Sequence, residues 1–78
     1  MNRDLSALVI YTIYRFPSDY PGLYVVRPWH CASGETIPGR IVCVSEDIEM
    51  LRQPFREAGL CLMTRSAADD PTIVENWL

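Results

Sequence analysis

The chain has 78 residues, 49% of them hydrophobic and 22% charged, and its seven basic and ten acidic side chains give a formal net charge of −3. That size and composition fit one folded domain over residues 1–78 and argue against a disordered tail. A pI near 4.9 opposes binding of nucleic acid through phosphate attraction alone.

Residues 8–16, LVIYTIYRF, place Leu8, Ile10, Thr12, Tyr14 and Phe16 on one alternating face and Val9, Tyr11, Ile13 and Arg15 on the other, which predicts a strand that is apolar on both sides. PSDYPG at 17–22 predicts a turn, because proline presets φ, Asp19 can bond nearby backbone and Gly22 tolerates positive φ. A second strand is predicted over 23–30, with Leu23, Val25, Arg27 and Trp29 opposite Tyr24, Val26 and His30. Pro28 cannot donate to a ladder, so this strand should lie at an edge or bulge there. Residues 32–39 read as a polar loop and 40–44 as a short third strand.

Ser45 is placed as an N-cap, with Glu46 and Asp47 suited to the positive end of the helix dipole. Ile48, Leu51, Phe55 and Ala58 then recur at helical spacing up to Gly59, a natural stop. Pro54 should kink or divide this helix. Residues 60–65 predict a buried strand and 66–71 a loop. TIVENWL at the end fits either a helix starting at Asp70 and Pro71 or a strand with Ile73, Glu75 and Trp77 on one face, and the β-branched Thr72, Ile73 and Val74 favour the strand. The expected fold is α+β, with three strands, a kinked helix and two strands forming an antiparallel sheet of four or five strands. One helix can cover one face of that sheet, which leaves the other in need of a partner.

The residues argue against most chemistry. The three cysteines lack the close spacing of a zinc site, and His30 and Cys31 are neighbours that a strand points to opposite faces. His30 is the single histidine, and no nucleophile elbow lies near it. No catalytic residue, metal or cofactor is therefore expected. An odd cysteine count fits a reducing cytoplasm, and no apolar run reaches the roughly 18 to 20 residues of a membrane span. Asn2, Arg3 and Asp4 precede only a brief apolar stretch, so a signal peptide is not expected either.

Binding is the better-supported class. Residues 45–78 hold seven carboxylates against three arginines, so Glu46, Asp47, Glu49, Asp69 and Asp70 form a candidate acidic surface that would imitate a phosphate backbone and be steered to a basic groove on another protein. Tyr11, Tyr24 and Trp29 are the candidate apolar contacts, since aromatic residues dominate interface energetics. Two alternatives stay open. A homodimer could seal the sheet face, and the aromatics of the first hairpin with Arg15 and Arg27 could stack on bases.

The stretches PSDYPGLYVVRPW and ADDPTIVENWL resemble those of a group of small uncharacterised proteins of alphaproteobacteria and their prophages. In that group an aromatic hairpin opens the chain, and an Asp-Asp-Pro turn with Ile-Val-Glu and Trp closes it. The resemblance covers about half the chain and brings no catalytic motif. It implies a mobile element in a GC-rich bacterial host, in keeping with basic residues that are all arginine, and a strand for the last segment. Small, acidic, lysine-poor phage proteins include anti-CRISPR inhibitors of type I surveillance complexes. A host protein complex of that kind is the partner the resemblance implies, with inhibition as the outcome.

Overall fold

A computed structural model describes residues 8–32, 34–64 and 72–78. In chain order the elements are β1 (Leu8–Arg15), β2 (Tyr24–Ala32), β3 (Glu35–Pro38), β4 (Cys43–Ser45), α1 (Ile48–Glu57), β5 (Leu62–Thr64) and β6 (Ile73–Trp77). They form the expected α+β domain, one antiparallel sheet with a single helix packed on it. The sheet has six strands and runs β3, β2, β1, β6, β5, with β4 also paired to β2.

The extra strand lies in the segment expected to be a loop. β3 and β4 pair with the same edge of β2, one after the other, and both run antiparallel to it. Pro28 explains the gap between them. Its carbonyl accepts from the Gly39 N–H at 2.7 Å on that edge, so its missing N–H falls on the same side and the ladder must break there. Gly39 is forced by closeness, because a Cβ built on it would sit 2.9 Å from Cγ of Pro28 and 3.1 Å from Nε2 of His30. Gly39→Ala is expected to cost about 1–3 kcal/mol in urea unfolding, the range for overpacking a tight contact.

The helix covers one face. In register, Tyr11 and Ile13 of β1 lie opposite Pro28 and Val26 of β2 and opposite Trp77 and Glu75 of β6. Leu51 seats on that row, and Ile13, Val26, Leu51 and Trp77 form the buried core with Ile48, Phe55 and Leu60 packed against it. Each such side chain contributes roughly 1.5–3 kcal/mol when fully buried.

Local chemistry sets the ends of α1. Asp47, and not Ser45, is the N-cap: its Oδ1 accepts from the Glu49 N–H at 3.0 Å, while Oγ of Ser45 accepts from the Asp47 N–H one step earlier. The helix continues through Pro54 as one element. Met50 and Pro54 are both exposed, and water can satisfy the one carbonyl the proline leaves unpaired. It ends at Gly59, φ 80°, where the N–H groups of Gly59 and Leu60 donate to the carbonyls of Arg56 and Phe55. That pattern is the Schellman motif.

Two further expectations change. β5 is an edge strand whose Leu62 and Met63 are exposed, not a buried one. The last segment is a strand, but a bulge shifts its register between Ile13 and Tyr14, so Ile73 lies opposite Tyr14 while Glu75 lies opposite Ile13. Ile73 therefore leaves the face of Glu75 and Trp77.

Candidate functional site

The sheet face away from α1 is the candidate site. Alternation and register place Leu8, Ile10, Thr12 and Tyr14 of β1 there, beside Cys31, Trp29, Arg27 and Val25 of β2. Ile73 and Asn76 of β6 and Met63 of β5 extend it to the far edge. Apart from Arg27, the described strand residues of this face are uncharged.

Two depressions adjoin on this face, and Trp29 lines both. One, of about 400 Å³, lies among Tyr14, Val25, Arg27 and Trp29, with Asp19 of the first turn and Ile41 at its sides. The other, of about 230 Å³, lies over Ile10, Thr12, Met63, Ile73 and Asn76. One hydrogen bond holds the shared Trp29 and another braces the smaller depression. Nε1 of Trp29 donates to the Tyr14 hydroxyl at 3.0 Å, and the Thr12 hydroxyl donates to Oδ1 of Asn76 at 2.6 Å. The side of the larger depression owes its position to Phe16, whose φ of 50° is an uncommon conformation for a bulky residue. It turns the chain so that Pro17, Ser18, Asp19 and Tyr20 border the sheet.

The residues expected to carry contact divide between the faces. Trp29 is on the open one. Tyr11 is on the other, its ring 5.2 Å from that of Phe55, and Tyr24 is there too, packed on the core and 5.2 Å from the Phe16 ring. Both are occupied under or beside the helix and do not contribute to an open-face contact. Arg27 and Tyr14 replace them. Arg27 was legible as sharing a face with Trp29, but nothing in a strand apolar on both sides says which face the helix leaves bare.

The described acidic candidates lie at the start of α1 and do not line either depression. Asp47 is the helix cap, and Glu46 is exposed beside it. Both carboxylate oxygens of Glu49 are engaged, by Arg52 and by Arg56 at 2.8 Å. Hydrogen bonds from Arg56 and Arg52 hold Glu49 below its ordinary carboxylate range. Asp69 and Asp70 lie outside the described residues.

Arg52 also links α1 to β6. Its Nε and NH2 donate to the two carboxylate oxygens of Glu75 at 2.8 and 2.7 Å, and Nε1 of Trp77 adds a third bond at 2.8 Å. Burial raises the Glu75 pKa, but these bonds and the guanidinium charge outweigh it and leave the group below its ordinary value, while Arg52 is raised. This is a structural clamp, since every oxygen of the carboxylate is spoken for.

Among the described residues no three His, Cys, Asp or Glu side chains gather as a metal site would need. Cys31, Cys43 and Cys61 are free thiols. No helix of the described residues is long and apolar enough to cross a membrane. Comparison with protein-family models, curated proteins and solved structures finds no match to this chain.

Proposed function

We propose that the protein is a non-catalytic binding module that docks on another protein through its open sheet face. The observation that carries this reading is a face on which α1 does not pack, with Ile10, Tyr14, Trp29, Met63 and Ile73 around the buried Thr12 and Val25 and a single charged strand residue. Tyr, Trp and Arg around a concave apolar centre, with carboxylates depleted, is the make-up of an interface core. The resemblance noted above points to a host protein complex, in the first instance a type I CRISPR surveillance complex, and to inhibition as the result of docking.

Imitation of DNA has less to draw on. Of the described candidates, Asp47 is spent on a cap and Glu49 is paired with two arginines, which leaves Glu46. A pull-down on purified type I complexes separates the two routes. Trp29→Asp should weaken binding by about tenfold or more, as a central interface residue does, while Glu46→Arg leaves it nearly unchanged. The reverse pattern would move the contact to the acidic end, and no binding by the wild-type chain would remove this partner class. Circular dichroism of each variant guards against misfolding. Light scattering should find a monomer; a dimer lost in Trp29→Asp would mean that a second copy covers the face.

A further inference from the structure

We infer that the larger depression of the open face is a recognition site for a carboxylate carried next to an apolar side chain, with Arg27 as the group that binds the anion. This rests on docking through that face and names the chemistry of what docks.

Arg27 is the reason. It lines the depression, half-buried, and a single bond to protein is seen for its guanidinium, from NH1 to the Gly39 carbonyl at 3.3 Å. A guanidinium carries five N–H donors in a planar fork. Among the described residues none pairs with it as a salt bridge, whereas Arg52 holds two carboxylates. Among the described residues this part-buried cation has no carboxylate partner to offset its desolvation, and an anion would supply one. Tyr14 adds a second donor, because its oxygen accepts from Trp29 and its own O–H remains to give.

The rest of the depression selects the kind of anion. Val25 at 2% exposure and the neighbouring Trp29 and Ile41 make an apolar wall, and about 400 Å³ is within the range of pockets that accept one compact apolar group. Asp19 borders the same space, and the chain is net negative. Both disfavour a dianionic phosphate or a string of phosphates more than one carboxylate, which the guanidinium fork can hold through two parallel bonds. A partner segment with Asp or Glu beside an aromatic or large aliphatic residue, or a chain end with such a residue, has this chemistry.

The test is an NMR titration of ¹⁵N-labelled full chain with N-acetylphenylalanine, with its carboxamide analogue and with an oligothymidylate. N-acetylphenylalanine should give saturable shifts at the Trp29 indole N–H and the Gly39 amide, with the carboxamide weaker by about tenfold or more, the scale of one hydrogen bond to a charged group. Arg27→Gln should erase that difference and keep the folded spectrum. Equal binding of acid and amide, tighter binding of the oligothymidylate, or no shift at these two reporters would each overturn the inference. If Trp29→Asp abolished partner capture while Arg27→Gln altered neither capture nor the titration, docking through the face would stand and the carboxylate site would fall.

Discussion

Replacing Arg52 with leucine is expected to cost about 2–4 kcal/mol of stability at pH 7, somewhat under the roughly 3–5 kcal/mol for stranding a partner in a fully buried ion pair because Arg52 is 25% exposed, and the cost should shrink on acidification. Glu75 is 5% exposed, and two of its three side-chain hydrogen bonds come from Arg52. In the wild type its pKa lies below the ordinary value of 4.5. The unfolded chain therefore binds the proton more readily, so the clamp contributes fully above that ordinary value and is lost as pH falls through the folded one. In the variant burial acts with only Trp77 opposing it, which moves Glu75 upward. Its charge is then a penalty at pH 7 that protonation relieves, and the variant regains stability as pH falls where the wild type loses it. Urea unfolding at pH 7 and near pH 4.5 should show the gap closing. A gap of equal size at both pH values would mean that Arg52 acts by packing its stem and not by pairing. Arg52→Leu with Glu75→Leu should recover much of the loss, because a matched apolar pair replaces an ion pair at little cost.

What the sequence made legible follows the strength of each local rule. The helix and its end could be read from Leu51, Phe55 and Gly59, since apolar periodicity and a left-handed stop are properties of neighbouring residues. β1, β2 and the β character of the last segment were visible from β-branched and aromatic runs. β3 was hidden because ETIP has no apolar alternation, and its place comes from pairing with β2, a contact between elements that local pattern does not show. The register shift opposite Val74 was equally silent, and it decides that Ile73 joins the open face while Glu75 enters the clamp. The role of Glu75 in the clamp was not legible, because its partner is 23 residues away on another element.

The same reasoning bounds the candidate site. A surplus of apolar faces over covering elements could be counted from the sequence, and among the described residues the helix packs on one face of the sheet. Which aromatics it displays could not, because β1 offers Tyr14 on one side and Tyr11 on the other with equal propensity. The decision belongs to tertiary packing. Phe55 meets Tyr11 and Trp77 at ring distances of 5.2 and 5.6 Å, and that three-ring contact commits the helix to their side.

The two tryptophans turn this partition into a measurement. Trp77→Ala is expected to cost about 3–5 kcal/mol, the range for truncating a large buried aromatic, and that is a large share of the roughly 4–12 kcal/mol that holds a domain of this size together. Trp77 is 4% exposed, stacks near Phe55 and donates to Glu75, so its loss opens the core and also removes one bond from the clamp. Trp77→Phe keeps a ring but not the donor and should cost less, about 1–3 kcal/mol. Trp29→Ala is the contrast. It is partly exposed on the face away from the helix, bonded to Tyr14, and its removal should cost about 1–2 kcal/mol, a hydrogen bond at a site water reaches together with part of a ring's burial. Fluorescence reads the same difference without unfolding: iodide should quench the Trp77→Phe protein, where Trp29 emits, and leave Trp29→Phe almost unquenched. Equal unfolding penalties for the two alanine variants, or equal quenching of the two phenylalanine variants, would mean that the face carrying Trp29 is packed as tightly as the face under the helix. A docking surface would then have to be sought elsewhere on the domain.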